Sequence, residues 1–426
     1  MKKLLIVVGV VAVVVAGGWI ALSQVLEIPE RLAAVPRELT GRAQIPGIPN
    51  ARYFVGMETE SFVRDVLAAR QREQEYLARS GQTGEMPPVA LLALSGGGDK
   101  GAFGSGLLNG WTAKGDRPTF KAVTGISTGA LLAPFAFLGS DYDDVLTEVF
   151  TTVGPEDVLS RRSILAAIEN DGMADNQPLW GLISKHVDQA LLAAIAEQHA
   201  NGRILLIGTS NLDARQPVMW NMGNIAASGA PGALDLFRSI LLSSAAIPGA
   251  FPPTMIRVEV DGQVYDEMHV DGGTSAQVFL YPPSMPAVAR SLGTEMISRK
   301  GSAYIIRNSW LQSTYDPSER RTINIAARAI SSLIQSQGFG DLYRIYFTAQ
   351  RDGFDFNLAF IGSEFTYEPV EQFDNGFMNA LYDYGYELGK NGYPWQQVPP
   401  GWESAILATQ ATSPPQPEGE TTISAD

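Results

Sequence analysis

The chain has 426 residues, of which 45% are hydrophobic and 18% charged, a composition typical of a folded globular protein. Its net charge of −14 argues against nucleic acid as a partner and against docking on anionic lipid through a polybasic face. Because the chain has no cysteine, disulfides, thiolate nucleophiles and cysteine-bound metals are excluded. Only three histidines are present, namely His186, His199 and His269.

A long apolar segment, Leu4–Leu22, follows Lys2 and Lys3 and carries no charge. As a helix it would span about 28 Å, close to the hydrocarbon core of a bilayer at about 30 Å. Residues 1–26 are therefore interpreted either as an uncleaved signal anchor or as a signal peptide cleaved near Ala21. Both interpretations place the bulk of the chain in the periplasm or outside the cell, membrane-anchored in the first case and secreted in the second.

The following elements alternate between strands and helices. Residues 27–88 are interpreted as a linker with one helix at about 58–79, and a domain at 89–396 opens with the buried strand Val89–Leu94. Further strands are predicted at 121–123, 203–213, 216–220, 255–262 and 302–309, and helices at 102–111, 130–138, 177–200, 234–245 and 323–337. This alternation predicts an α/β fold with a mostly parallel central sheet covered on both faces. Residues 397–426, rich in Pro, Ser, Thr and Glu, are predicted to be a disordered tail.

A G-x-S-x-G pattern, Gly125-Ile126-Ser127-Thr128-Gly129, lies between an apolar run and an apolar helix. A sharp turn from strand to helix needs glycines and exposes the serine hydroxyl at the edge of the sheet. This setting favours Ser127 as a nucleophile over an ordinary glycine-rich loop.

A serine nucleophile needs a base, and the candidate is Asp271 in Asp271-Gly272-Gly273. The usual order of serine, acid and then histidine cannot be completed, because no histidine follows Asp271. Taken alone, D-G-G is more often a turn. His269 shares a strand face with Asp271, so it is either a packing residue or a third catalytic member. His186 and His199 fall in a predicted helix and are interpreted as surface or packing residues.

The stretch Gly96-Gly97-Gly98-Asp99-Lys100-Gly101 has the G-x-G-x-x-G spacing of a dinucleotide loop. That interpretation expects an acidic residue about twenty positions later, and residues 121–127 contain none. A Walker A loop also fails, because Lys100 is followed by glycine. The alternative is that the glycine N–H groups stabilise a transient oxyanion.

Together, SGGGDKGAFGSGLL (95–108), GISTG (125–129) and DGG (271–273), in this order, resemble the patatin-like phospholipases. The stretches 208–213 and 241–253 resemble that family too, and the likeness covers 89–308 and extends to 382–395. Two departures are Ser95, where many members carry Asp, and DGG in place of DGA.

The resemblance implies a three-layer α/β/α fold and a Ser–Asp dyad that needs no metal or cofactor. Ser127 would be the nucleophile, Asp271 the proton acceptor and Gly96–Gly98 the oxyanion hole, while Lys100 matches a basic residue of the family's loop. The supporting motif positions are Gly101, Gly125, Gly129, Gly272 and Gly273.

The function expected from this resemblance is lipid acyl hydrolysis of the phospholipase A or lysophospholipase type. A carboxylic ester of a phospholipid or other acyl lipid would be cleaved through an acyl-enzyme. The alternative is a catalytically silent, membrane-anchored lipid-binding protein of the same fold.

Overall fold

The computed structural model describes residues 31–82, 84–162, 171–294, 299–312 and 320–402. The apolar segment Leu4–Leu22 and the tail from residue 403 lie outside these ranges. Within them, no helix combines the length and the apolar character needed to cross a membrane.

Strands and helices alternate through most of the described chain. The strands are β1 Arg52–Phe54, β2 Val89–Leu94, β3 Ala122–Ile126, β4 Ser160–Arg161, β5 Ala174–Asp175, β6 Ile204–Asn211, β7 Gln216–Asn221, β8 Thr254–Val260, β9 Gln263–Asp271, β10 Gly301–Trp310 and β11 Phe354–Ile361. The helices are α1 Thr59–Arg79, α2 Gly101–Lys114, α3 Thr128–Leu138, α4 Asp143–Thr151, α5 Pro155–Val158, α6 Gln177–His186, α7 Gln189–Ala200, α8 Met222–Ala227, α9 Ala233–Ser244, α10 Met285–Ser291, α11 Thr322–Asp352 and α12 Asn375–Asn391.

Nine of these strands form one sheet, ordered β1-β7-β6-β3-β2-β10-β11, with β9 also paired to β6 and β8 to β9. The five strands from β6 to β11 in this order are parallel, and β1, β7 and the β8–β9 hairpin are antiparallel additions at one side. The fold is therefore mixed α/β around a parallel centre, as the alternation of elements predicts.

Both faces of the sheet are covered by helices. Along β2, Leu92 and Leu94 face a large apolar cluster that includes residues of α2, α3, α9 and α12. Leu91 and Ala93 face the other side, where they pack with Leu342 and Ile345 of α11, and α1 and α10 cover the neighbouring strands. A strand buried on both faces is apolar at every position, which explains the unbroken run Val89–Leu94.

Three differences from the sequence interpretation have local causes. The segment 27–88 is more than a linker, because β1 pairs with β7 and extends the sheet. The predicted helix 177–200 is two helices, since the Asp188 carboxylate accepts a hydrogen bond from the Leu191 N–H and begins α7. The predicted tail at 397–426 begins with packed residues, because the Trp402 ring contacts the rings of Tyr346 and Phe347.

Candidate active site

One edge of β6 brings the two candidate catalytic segments together. In its first half β6 pairs with β3, and the last pair joins Gly208 to Ile126. The next residue of β6, Thr209, pairs with Asp271 at the end of β9. Because β9 continues along the edge where β3 ends, Asp271 lies beside the turn that follows Ile126.

Ser127 occupies that turn and has a backbone that few residues adopt. Its φ of 56° and ψ of −128° lie outside the regions open to ordinary L-residues. Gly125 and Gly129 make the turn possible, because a Cβ on Gly125 would lie 2.3 Å from the Gly129 carbonyl oxygen. Ser127 is also the residue before α3, so its hydroxyl lies at a helix N-terminus. This is the geometry of a nucleophile elbow.

Ser244, the last residue of α9, and Ala246, which follows it, bond to the segments that carry Ser127 and Asp271. Ser244 Oγ accepts a hydrogen bond from the Ser127 N–H at 2.9 Å and donates one to the Gly208 carbonyl at 2.7 Å. The Asp271 N–H donates to the Ala246 carbonyl at 2.9 Å. Sequence reasoning did not assign a role to Ser244, although it lies within the stretch 241–253 that carries part of the resemblance.

The Asp271 carboxylate is buried, and its Oδ1 accepts a hydrogen bond from the Gly273 N–H at 2.7 Å. Burial raises the pKa of Asp271 to about 6, and the Ser127 hydroxyl and the Gly273 N–H offset only part of that effect. A carboxylate with a pKa near neutrality accepts a proton more readily than an ordinary aspartate.

The glycine loop runs past Ser127, but its three glycines are not equivalent. A Cβ on Gly96 would lie 3.0 Å from Ser127 Cβ, which places this residue against the nucleophile. The Gly96 N–H, however, donates to the Gln277 carbonyl at 3.2 Å, so it is not free for an oxyanion. The Gly97 and Gly98 N–H groups have no hydrogen-bond acceptor in the part of the chain that the structure describes. Of the three predicted oxyanion donors, only Gly97 and Gly98 therefore have an N–H group without an acceptor among the described residues.

Asn308, at the end of β10, fixes the shape of this loop. Its side chain donates to the Ser95 carbonyl at 2.9 Å and accepts from the Gly104 N–H at 3.1 Å. Its backbone N–H donates to Ser95 Oγ at 2.9 Å. A Cβ on Gly97 would lie 2.3 Å from the Asn308 carbonyl oxygen, so only glycine fits there. Sequence reasoning did not identify Asn308. The only indication in the sequence is that a polar residue stands near the end of an apolar strand.

The remaining motif positions lie around the dyad. Lys100 Nζ lies 3.3 Å from Asp99 Oδ1, and Asp99 Oδ2 accepts from the Phe373 N–H. The other supporting glycines share close backbone packing, since a Cβ on any of them would lie within 2.6 Å of a neighbouring atom: Gly101, Gly125, Gly129, Gly272 and Gly273.

None of the three histidines contacts the dyad. Both ring nitrogens of buried His269 have partners, Thr209 Oγ1 at 2.9 Å and Glu267 Oε2 at 3.1 Å. Burial lowers the pKa of His269, which keeps the ring neutral. Buried His199 packs against Gly223, and His186 lies 3.9 Å from Glu148. These contacts agree with a packing role for His269.

A largely apolar cavity has sequence neighbours of Ser127 and Asp271 in its wall, but neither of these two residues lines it. Its empty space, including the open mouth, is about 740 Å³. Ile126 and Gly272, the sequence neighbours of Ser127 and Asp271, form part of its wall. Other apolar lining residues are Val218, Met219, Phe279 and Ile345. Within the described ranges, no group of three or more His, Asp or Glu side chains is arranged to bind a metal.

Comparison with known proteins identifies the domain. Residues 92–282 match the model of the family described as patatin-like phospholipase, so this part of the chain is a patatin-like phospholipase domain. No curated protein matches the chain in sequence. Among solved structures, the chain is similar to the crystal structure of VipD from Legionella pneumophila, with 11% identity and a TM-score of 0.34. The match covers 72% of this chain and 66% of that chain, or just under two thirds of its length.

Proposed function

From the patatin-like phospholipase domain at residues 92–282, we propose that this protein hydrolyses carboxylic esters of lipids through a Ser127–Asp271 dyad. The observation that carries the proposal is a serine on a strained elbow whose hydroxyl influences a buried carboxylate, Asp271, with a pKa raised to about 6. Such a pair matches the requirement for an activated nucleophile with an adjacent base.

In the proposed first step, Ser127 Oγ attacks the ester carbonyl carbon while Asp271 takes the hydroxyl proton. The carbonyl π electrons move to oxygen, and the resulting oxyanion accepts hydrogen bonds from the Gly97 and Gly98 N–H groups. Each donor of this kind is worth about 2.7–4 kcal/mol in the transition state.

Collapse of the tetrahedral intermediate breaks the bond to the leaving alcohol, which takes the proton from Asp271. Water then attacks the acyl-enzyme, and Asp271 again accepts a proton. Release of the fatty acid returns the proton to Ser127 Oγ. Each step balances within the dyad, so the cycle needs no third residue.

The apolar cavity whose wall includes Ile126 and Gly272 supports an acyl lipid as substrate. Its walls are mostly apolar, and an acyl chain buried there would gain about 0.8 kcal/mol per CH₂ group. Phospholipids and lysophospholipids both carry such chains. The apolar segment Leu4–Leu22 would, in the same proposal, hold the domain at a membrane outside the cytoplasm.

The central test is hydrolysis by the Ser127→Ala protein. We expect the release of fatty acid from a phospholipid and lysophospholipid panel, followed by mass spectrometry, to fall to the uncatalysed level. A fluorophosphonate probe should label the wild type and not this variant. Ser105→Ala is the matched control, because Ser105 is a buried serine that donates to the Leu146 carbonyl in the body of the domain. An unlabelled wild type would instead support the silent lipid-binding alternative.

The pH profile provides a second test. Because the dyad requires the Asp271 carboxylate, kcat/KM should fall about tenfold per unit at pH values below its pKa of about 6. A profile that stays level down to pH 4 would contradict the role of Asp271 as the proton acceptor.

A further inference from the structure

Gln277 follows the turn at Asp271–Gly273 and is held at two of its backbone atoms. Its carbonyl accepts a hydrogen bond from the Gly96 N–H at 3.2 Å, and its N–H donates to Asp341 Oδ2 of α11 at 2.7 Å. The Asp341 side chain is buried, so this second contact belongs to the packed interior of the domain. The backbone of Gln277 is therefore fixed between the glycine loop and α11.

The Gln277 carboxamide lies next to both members of the dyad. A Cβ on Gly96 would lie 3.4 Å from Gln277 Oε1 and 3.6 Å from Ser127 Oγ. A Cβ on Gly273 would lie 2.6 Å from Gln277 Nε2 and 3.0 Å from Asp271 Oδ1. Within the described ranges, no hydrogen bond joins the carboxamide directly to either dyad side chain. Any interaction between them would therefore pass through a bridging group such as a water molecule.

The orientation of the carboxamide follows from the hydrogen bond that it makes. Gln277 Nε2 donates to the Gly273 carbonyl at 3.1 Å. The reverse orientation would set two oxygens against each other, so the acceptor Oε1 is the atom on the Ser127 side. None of the residues that the structure describes donates a hydrogen bond to Oε1, and the half-buried side chain leaves this atom open to solvent.

A free acceptor determines which group it can hold. Oε1 cannot stabilise the oxyanion or bind the ester carbonyl oxygen, because both of these are acceptors themselves. It can accept a hydrogen bond from a water molecule whose second hydrogen faces the Asp271 carboxylate. In the proposed cycle water enters only when it attacks the acyl-enzyme, so this atom is suited to deacylation.

From this arrangement we propose that Gln277 is a catalytic residue of deacylation, whose Oε1 holds the attacking water beside Asp271. The water oxygen bonds to the acyl carbon, one of its protons passes to Asp271, and the other stays on the oxygen, hydrogen-bonded to Gln277. Cleavage of the bond between the acyl carbon and Ser127 Oγ releases the fatty acid, and the proton on Asp271 returns to Oγ. This inference rests on the proposed function, because it assigns one step of the same cycle.

The Gln277→Met protein tests the assignment, since methionine has a similar length but no oxygen. With a soluble short-chain p-nitrophenyl ester, stopped-flow should show a burst of about one p-nitrophenol per active site, because acylation proceeds and the acyl-enzyme accumulates. We expect kcat and KM to fall together by at least about tenfold, with kcat/KM within about threefold of the wild-type value. Intact-protein mass spectrometry of the quenched reaction should detect the acyl adduct, and circular dichroism establishes folding.

Gln337→Met is the matched control. The Gln337 side chain also donates a hydrogen bond to a backbone carbonyl of the segment after Asp271, that of Ser275, but it reaches this segment from α11. We expect wild-type kcat and KM and no accumulated acyl-enzyme. The same burst in both variants would overturn the assignment, because a loosened segment, and not the loss of Oε1, would then slow deacylation.

Gln277→Glu separates the acceptor from the bond to Gly273. Glutamate retains an acceptor oxygen but lacks the N–H that donates to the Gly273 carbonyl. At pH 8, deacylation should be severalfold faster in Gln277→Glu than in Gln277→Met. Equal rates in these two variants would contradict the assignment, because the bond to Gly273 would then account for the whole effect.

Two other results with an active wild type would also contradict a role in deacylation. One is an equal loss of kcat and kcat/KM in Gln277→Met without a burst, which would place Gln277 in acylation. The other is unchanged kinetics in this variant. Failure of the proposed function would be distinct, because the wild type would then neither hydrolyse the ester nor react with the fluorophosphonate probe, and the step assigned to Gln277 would fall with it.

Discussion

Two buried carboxylates on β9 differ in the partners that surround them. Glu267 and Asp271 are four residues apart, so their side chains share one face of the strand. Glu267 bonds to the Arg52 guanidinium and to the His269 ring. Asp271 accepts a hydrogen bond from the Gly273 N–H, and the other group that influences its pKa is the Ser127 hydroxyl; neither carries a charge.

This difference in partners reverses the direction of the pKa shift. Burial favours the protonated form of both groups. At Glu267, hydrogen bonds from Arg52 and His269 outweigh burial and lower the pKa to about 2. At Asp271, burial dominates and raises the pKa to about 6. Glu267, which is paired with a cation, stabilises the fold in its ionised form. Asp271 has no cationic partner among the described residues, so its carboxylate binds a proton more tightly, as a catalytic base must.

The largest difference in activity is expected when each of the two carboxylates is removed in turn. Asp271→Asn should lower kcat for a soluble ester about 10⁴-fold, because an amide cannot accept the Ser127 proton. Glu267→Gln should leave kcat of the folded protein within about threefold. The measurement is steady-state hydrolysis, with circular dichroism to establish folding. Equal losses in the two variants would show that β9 matters only as a scaffold.

The second prediction concerns the donors that face the dyad. Gly97→Ala adds a Cβ that would lie 2.3 Å from the Asn308 carbonyl oxygen, so the loop must move. We expect kcat to fall about 10²–10³-fold as oxyanion donors are displaced. Gly181→Ala is the control, because a Cβ there meets no atom within 4 Å. Wild-type kcat in Gly97→Ala would exclude this loop from the oxyanion hole.

Stability should change in opposite directions at the two carboxylates. The folded-state pKa of Asp271 is raised, so its contribution to stability falls as pH rises between 3.8 and about 6. Asp271→Asn should therefore raise the free energy of unfolding at pH 7 by up to about 3 kcal/mol. The pKa of Glu267 is lowered from 4.5 to about 2, so its contribution is present above pH 4.5 and lost as pH falls through 2. Glu267→Gln should lower the free energy of unfolding by about 3–5 kcal/mol, because Arg52 stays buried without its partner.

Urea unfolding at pH 7 and pH 4 measures both effects. The gain from Asp271→Asn should shrink at pH 4, where Asp271 is protonated in the folded state. If both substitutions lowered the free energy of unfolding by similar amounts, the contrast between Asp271 and Glu267 would be contradicted.

The local parts of the site could be predicted from the sequence. Short motifs indicate Ser127, Asp271 and the glycine loop because tight turns leave a signature in glycine spacing. The parallel centre of the sheet follows from apolar strands that alternate with helices. Whether Ser127 and Asp271 act as predicted is a matter for the variants above.

Contacts between distant segments could not be predicted in this way. The bond from the Gly96 N–H to Gln277 joins residues 181 positions apart, and nothing in a glycine motif encodes it. The continuation of β9 along β6 depends on register, which a single strand does not specify. Asn308 and Ser244 act on backbone groups of other segments, so their roles are visible only once the chain has folded.

The smallest effect on activity is expected at His269, which lies between the two carboxylates on the same face of β9. The neutral ring is hydrogen-bonded to Thr209 and Glu267. It therefore supports Glu267, the structural carboxylate, and not Ser127 or Asp271. His269→Gln should keep kcat and KM for a soluble ester within about threefold and lower the free energy of unfolding by about 1–3 kcal/mol, because one amide cannot reproduce both ring hydrogen bonds. Hydrolysis and urea unfolding of the same preparation separate these effects. A loss of several orders in kcat with unchanged stability would make His269 a third member of the catalytic machinery, and Glu267 would then orient it instead of merely anchoring the strand.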